Sequence, residues 1–170
     1  MSILKIIKER RSVRDFEKRD ISDEVIDKLI EALIWAPSAG NLQARKFYFV
    51  RDIMIKKELA SAALNQRFIA EAPLVVVGCT DSRIYSRYGD RGVNLYAIQD
   101  VACSIMNMML LAWENGLGSV WVGAFREGEV AEVLDLPNNL RPVAIVPVGY
   151  PSRIPLPPPR VSKKEAIEFR

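Results

Sequence analysis

With 170 residues, the chain has the length of one ordinary domain, enough to bury roughly 70% of its unfolded surface. Its hydrophobic share of 49% and charged share of 26% are those of a globular protein, and a net charge of +3 is too small for the basic face of a nucleic-acid binder. No histidine is present, which removes Ser-His-Asp and Cys-His nucleophiles and every His-ligated metal site; any redox or group-transfer chemistry is then expected to come from a cofactor.

Charges interrupt the start of the chain at Lys5, so no signal peptide is expected there, and residues 3–9 read as a short helix. Ser22 is placed to cap a second helix, with Asp23 and Glu24 in its acidic first turn. Ile26, Leu29, Ile30, Leu33 and Ile34 recur at helical spacing, predicting an amphipathic helix over 23–36 that Pro37 ends. A polar turn follows at 37–43. Lys46 to Arg51 is aromatic and β-branched, which predicts a strand, and a helix is expected over 53–64. Pro73 opens the apolar run Leu74 to Cys79, the pattern of a central strand.

Residues 81–92 mix Arg83, Arg87 and Arg91 with tyrosines and glycines and read as a mobile surface loop or a loose helix, either a solvated connection or a lid facing a substrate. The longest helix is expected from Val93 to Asn115, apolar on all sides and therefore central or at a subunit interface, with Gly116 as its terminator. Met106, Met108, Met109, Trp113, Trp121, Cys79 and Cys103 are all expected in the core, both cysteines as reduced thiols. Ser119 to Gly123 and Val143 to Tyr150 are strand candidates, separated by a short helix over Glu129 to Leu136. After Tyr150, five of the ten prolines crowd into the last 20 residues, predicting an extended segment that must lie on another surface, with a Ser162/Glu165 capping box near its end. The alternation of helices and strands is irregular, which predicts α+β. No apolar run reaches the ~18 residues of a membrane span, and the chain is expected in the cytoplasm.

Two stretches carry chemistry. Arg10-Arg11-Ser12-Val13-Arg14 concentrates forked cationic donors and a hydroxyl, which is what a phosphate dianion requires. Pro37-Ser38-Ala39-Gly40-Asn41-Leu42-Gln43 is a turn able to hydrogen-bond the edge of a flat heterocycle. Each alone also fits a plainer role, as a cationic helix end or a helix-terminating loop. Together they suggest a phosphorylated, ring-bearing cofactor, and flavin mononucleotide (FMN) suits both halves. Gly116, Gly118 and Gly123 do not form a dinucleotide loop, because they follow a helix rather than a strand.

In order, the chain resembles compact members of the FMN-dependent nitroreductase family. The matching pieces are residues 10–16, Trp35 to Gln43, Asp100-Val101, Asn107 to Ala112, and Gly116 to Phe125. They continue with Leu136-Pro137 and close with Val148 to Pro151. The resemblance implies a nitroreductase-like α+β fold: a mostly antiparallel central sheet flanked by helices, with a long central helix. Residues 1–150 would form the FMN-binding domain and 151–170 an extension of it that packs on the partner subunit. It also implies a homodimer with FMN at the interface.

In that scheme Arg10, Arg11 and Ser12 hold the phosphate, joined by Arg160, and Arg14 lies near the pyrimidine edge, with Asn65 a softer match there. Pro37, Ser38, Ala39, Asn41 and Gln43 reach in from the other subunit. Val122, Gly123, Ala124 and Phe125 line one ring face and offer N–H groups near N5. The implied activity is NAD(P)H-dependent reduction of FMN and then of a flat acceptor such as a nitroaromatic or quinone, in a two-step ping-pong cycle. Dehalogenation, flavin processing or non-catalytic FMN binding are the alternatives. No protein side chain is expected to be catalytic in itself, and no metal, nucleic acid or membrane is expected to take part. Two departures stand out. The turn continues Gln43-Ala44-Arg45 where many members carry proline and an aromatic, and the chain lacks the long helical insertion that roofs the pocket in larger members.

Overall fold

The computed structural model describes residues 2–170. Four strands form one antiparallel sheet in the order β1-β2-β4-β3: β1 Arg45–Val50, β2 Leu74–Asp81, β3 Gly118–Ser119 and β4 Leu140–Gly149. All eight residues of β2 are buried, because helices cover both faces and the strand can be continuously apolar. The two-residue period of the strands divides the core. Leu74, Val76, Ala144, Val146 and Val148 face α2 (Asp23–Ile34) and α6 (Ala97–Glu114) through Leu29, Leu33, Val101, Ile105 and Met108. Val75, Val77, Cys79 and Ile145 face the opposite layer, where α3 (Ile53–Ala62), α4 (Phe68–Glu71) and α7 (Glu127–Val133) supply Leu59, Ile69 and Val130. Helix α1 is Ile3–Glu9, as expected, and α8 (Lys163–Ala166) carries the capping box between Ser162 and Glu165.

Most predicted elements are present with ends moved by a few residues. Helix α2 stops at Ile34, two residues short of the expected end, and α7 begins and ends earlier than 129–136. Ser22 holds the N-cap position of α2, but its side chain makes no capping bond. The expected strand over 119–123 is mostly not ladder: only Gly118–Ser119 pair with β4, and Val122 then makes one isolated bridge with Ile145.

Of the two forms expected for residues 81–92, loop or loose helix, the helical one is present from Ser82 onward, after Asp81 ends β2. A short 3₁₀ turn over Ser82–Ile84 leads into α5 (Tyr85–Arg91), a π-helical turn over Gly92–Tyr96, and then α6, which starts four residues later than expected. Gly116 ends α6 at φ +77°, with Leu117 N–H on the Ala112 carbonyl and Gly116 N–H on Trp113, a Schellman closure. The run Ser82–Glu114 is long and apolar enough to cross a membrane by length and composition, contrary to the sequence expectation, but its inner face is buried as a core helix. The outer face is not core: Met106 and Cys103, both expected inside, are exposed there beside Ile98. Part of the apolar surface of α6 is thus left exposed.

The proline-rich segment leaves the sheet through an antiparallel bridge between Phe16 and Pro151 and a bond from Ser152 N–H to the Asp15 carbonyl. Beyond Pro151 every residue is exposed, including Leu156 (88%) and Phe169 (94%).

Candidate functional site

The arginine segment owes its placement to Val13. Helix α1 ends at Arg10, whose N–H closes onto the Ile6 carbonyl, and the chain turns extended. Ser12 bridges Ser119 in parallel, and Val13 N–H bonds the Ser119 carbonyl at 3.1 Å. The Val13 side chain is fully buried against Gly118, where a Cβ would lie 2.6 Å from the Val13 Cβ. Only glycine lets these two backbones meet. In extended chain, alternate residues share a face, so burying Val13 turns Ser12 and Arg14 the other way.

The electrostatics of this segment are unusual. Arg10 is half-buried, and its Nη1 is buried without a hydrogen-bond partner. Burial, then the nearby charges of Arg160 and Arg11, lower its pKa. Arg160 lies near enough for its charge to act on Arg10, but it is exposed and its Nη1 donates to the carbonyls of Pro158 (3.5 Å) and Pro159 (3.1 Å). None of Arg10, Arg11, Arg14 and Arg160 forms an ion pair among the described residues. Arg11 is partly engaged locally: its Nη1 donates to the carbonyls of Lys8 (2.7 Å) and Arg10 (2.9 Å), the helix-end role weighed from the sequence. Arg14 projects over the Phe68 ring, 5.8 Å from its centroid.

Residues 119–126 join this segment to the loop after α3. Val122 is buried and exchanges both backbone bonds with Ile145, while Gly123 and Ala124 are exposed and Phe125 half-buried. The N–H groups of Gly123 and Ala124 donate to no backbone carbonyl among the described residues. Gln66 Nε2 holds the Ala124 carbonyl at 3.1 Å, and Arg126 N–H bonds the Ala62 carbonyl. Leu64 and Asn65 both sit in the left-handed region, at φ +58° and +61°. Contacts link these pieces in series, Ser12 and Val13 to Ser119, Arg14 to Phe68, and Gln66 to Ala124, whereas Val122 is buried and Asn65 lines a separate pocket with Lys57, Ser61 and Arg67.

The turn at 37–43 is elsewhere. Ala39 N–H bonds Asp100 Oδ1 at 2.9 Å in the first turn of α6, and Gly40 packs against the Tyr88 hydroxyl. Ser38 Oγ accepts from Gln43 N–H at 3.1 Å, leaving the side chains of Asn41 and Gln43 exposed. The arginine segment meets the chain just past the other end of α6, at Gly118 and Ser119. An 18-residue helix is about 27 Å long, so within one protomer the two halves of the expected site do not meet.

Backbone strain marks both halves independently. Five non-glycine residues have positive φ among those described, and four of them, Asn41, Gln43, Leu64 and Asn65, fall in these two loops. For Gln43 and Leu64 that conformation is costly, and such strain persists where surrounding structure over-determines it. Sequence reasoning missed Gln66 and Phe68, which shape the surface under Ala124 and Arg14. It also missed the structural work of Asp100 and of Arg45, which had stood out only as a departure.

This geometry coincides with a known pattern. The profile of the nitroreductase family matches residues 7–66 and 51–150, spanning both halves of the site. The chain belongs to the nitroreductase family. A relative from Archaeoglobus fulgidus, provisionally named an NADH dehydrogenase/NAD(P)H nitroreductase, is 36% identical over 152 residues, covering 87% of this chain and 84% of its own. An FMN reductase [NAD(P)H] of Bacillus subtilis is 27% identical over 183 residues, covering 99% of this chain and 73% of its own. Among solved structures, the NADPH:FMN oxidoreductase of Vibrio harveyi in complex with NAD⁺ superposes with a TM-score of 0.91 at 28% identity, covering 98% of this nitroreductase-family chain and 76% of that one. These levels of similarity extend across the sheet, α6 and both loops, so the family's fold is present in full outline.

Proposed function

We propose that this protein is an FMN-dependent oxidoreductase that takes electrons from NAD(P)H and delivers them, in a second half-reaction, to a flat acceptor such as a nitroaromatic or quinone. The observation that carries this reading is the half-buried Arg10 with an orphaned Nη1, crowded by Arg11 and Arg160 and without a carboxylate partner. A buried donor without a partner and clustered like charges both cost free energy, and a phosphate dianion at that place relieves both. FMN, when bound, supplies the hydride and electron chemistry, which suits a chain without histidine.

The residues divide the remaining tasks. Arg10, Ser12 and Arg160 hold the phosphate, and Arg11 adds charge while anchored to the end of α1. Arg14, supported by Phe68, places a fixed cation at the pyrimidine edge, where negative charge grows on reduction. Gly123 and Ala124 present free N–H groups toward the ring, Val122 and Phe125 pack along it, and Asn65 meets its edge. Gln66 keeps the Ala124 peptide in place.

The other wall comes from a second copy: Pro37, Ser38, Ala39, Asn41 and Gln43 of the partner turn cover the ring. Three observations support a homodimer. The turn lies at the opposite end of α6 from the arginines; the outer face of α6 exposes Ile98 and Met106; and the extension 151–170 leaves Ile154, Leu156, Val161, Ile167 and Phe169 uncovered. Strand β1 is also an open sheet edge beside a groove of about 370 Å³, whose apolar wall of Ile30, Leu33, Ile34, Phe47 and Phe49 is joined by Gln43, Arg45 and Lys46. Energetics agree. Three charged hydrogen bonds to phosphate contribute roughly 5–9 kcal/mol, whereas nanomolar retention needs about 12 kcal/mol, so burial of the ring between subunits must supply the rest. Free Cys79 and Cys103 suit a reducing cytoplasm.

The test is the visible spectrum of the purified protein, followed by steady-state NAD(P)H oxidation with quinone and nitroaromatic acceptors. Yellow protein releasing FMN on heating, with acceptor-dependent turnover, is the expected result. A colourless protein that takes up no FMN overturns the reading; flavin binding without turnover restricts it to a non-catalytic carrier.

A further inference from the structure

Arg45 stands where the sequence departs from the family pattern, and the structure puts it at the base of the 37–43 turn. Its Nη2 donates to the carbonyls of Ala36 (2.7 Å) and Ile34 (3.0 Å), and its Nη1 to Pro37 (3.0 Å) and, more weakly, to the Asp100 carbonyl (3.5 Å). One planar fork therefore gathers the open C-terminal carbonyls of α2, the first residue of the turn and the first turn of α6. Lysine could not reach this set in one geometry. Asp100 acts from the other side. It is 5% exposed, its Oδ1 receives Ala39 N–H, and its Oδ2 has no partner. The Asp100 charge offsets part of the cost of burying the Arg45 guanidinium. Between these two anchors lie Gly40, Asn41 and Gln43 at φ +55°, +55° and +52°. Glycine and asparagine adopt this conformation readily and glutamine does not; bonds within the turn, from Asn41 N–H to the Ser38 carbonyl (3.0 Å), Leu42 N–H to the Ala39 carbonyl (3.1 Å) and Gln43 N–H to Ser38 Oγ (3.1 Å), shape it locally, and the two anchors fix it against α2 and α6.

We propose that Arg45 and Asp100 form a brace that holds the 37–43 turn in its strained shape, making them positioning residues for the flavin ring bound by the partner subunit. The proposal deepens the flavin reading and rests on it for its consequence, though the brace itself is a property of this chain. A loop ordered before binding does not have to be ordered by the ligand, so loss of the brace appears as weaker binding without loss of any direct contact. Because the turn meets the ring and not the phosphate, the loss is the same for FMN and for riboflavin. That distinguishes it from the arginine cluster.

The experiment compares wild type, Arg45→Ala, Arg45→Lys and Asp100→Asn, each as the full chain. Amide hydrogen exchange of the apo proteins is measured over residues 36–44, together with the dissociation constants of FMN and riboflavin well below the melting temperature. Arg45→Ala is expected to speed exchange in 36–44 while β2 and α6 stay protected, and to weaken both flavins alike by roughly tenfold. Arg45→Lys is expected to recover part of each effect. Asp100→Asn, which keeps an acceptor for Ala39 N–H but removes the charge, is expected to fall between wild type and Arg45→Ala. Unchanged exchange over 36–44 in Arg45→Ala refutes the brace, whatever the flavin result. Faster exchange throughout the protein refutes it as well, since Arg45 would then serve global stability. Faster local exchange with unchanged flavin affinity refutes the positioning role. If wild type binds no flavin, the proposed function fails, and the exchange measurement still decides the brace.

Discussion

Replacing Arg10 with methionine should move the free and flavin-bound proteins in opposite directions. Methionine keeps a long apolar stem but removes the guanidinium. In the free protein that guanidinium has a buried Nη1 without a partner and is repelled by Arg160 and Arg11. An unsatisfied buried donor costs about 1–3 kcal/mol, and Arg10 is only half-buried, so the apo variant should gain about 1 kcal/mol. On the proposed reading, the same group in the bound protein would make charged hydrogen bonds to phosphate worth about 1.5–3 kcal/mol each, so one lost bond should weaken FMN by roughly 10- to 150-fold. Riboflavin has no phosphate and should bind the variant as it binds wild type. Urea denaturation of apoprotein at fixed concentration and flavin-fluorescence titrations with both ligands measure the two arms. Added salt sharpens the first: it should stabilise apo wild type, by screening the arginine repulsion, more than the variant. Equal losses for FMN and riboflavin, or a less stable apo variant, would refute the phosphate assignment.

Two other perturbations test the frame around the site. Gly118→Ala drives a Cβ to 2.6 Å from the Val13 Cβ and should cost about 1–3 kcal/mol in urea denaturation. Val13→Ala keeps that Cβ but removes Cγ2 and Cγ1, which the new methyl would meet at 2.6 and 2.9 Å, so the double variant Gly118→Ala/Val13→Ala should recover about 1 kcal/mol of the summed single losses; strict additivity would show that the Val13 Cγ atoms take no part in the clash. Asp81 is buried and accepts from the Arg83 side chain and N–H and from Asn139 Nδ2, and these bonds hold its carboxyl down at about 2. A depressed acid stabilises the fold above its unfolded pKa, near 3.9, and loses that contribution as pH falls toward 2. The charge-linked part, about 1 kcal/mol once solvent screening at exposed Arg83 is allowed for, should separate wild type from Asp81→Asn at neutral pH and vanish between pH 4 and pH 2. A constant gap across that range would contradict the assignment.

Much of the fold was legible because local patterns agreed with their tertiary setting. The continuous apolar run at Leu74 to Cys79 reads as a central strand, and β2 is one, buried on both faces. The heptad-like spacing of Ile26, Leu29 and Leu33 became the face of α2 on the sheet, and Gly116 ended α6 with the expected left-handed closure. Where sequence reasoning failed or left two forms open, the deciding contacts were distant. For residues 81–92 the sequence left a loop and a loose helix both open, and contacts from afar chose the helix, continuous with α6 through a π-helical turn, with Tyr88 packed on Gly40 and Tyr96. Cys103 and Met106 belong to an apolar helix, and only the position of the sheet decides that they face outward.

For the site, the sequence by itself determined the chemical inventory. Forked cations beside a hydroxyl suit a phosphate as well as a helix end, a polar turn suits a ring edge as well as a helix stop, and with no histidine any redox chemistry is expected from a cofactor. Those are properties of residue types, and they do not depend on where the chain goes. Only the tertiary structure decided the arrangement. Val13 against Gly118 aims the arginine segment, Gln66 anchors the Ala124 peptide, and Arg45 with Asp100 clamps the turn. Helix α6 then keeps the two halves of the inventory apart within one protomer. Each of these contacts except Arg45 to its carbonyls spans more than 50 residues of chain. No local pattern encodes which buried partner a glycine, an amide or a carboxylate will meet.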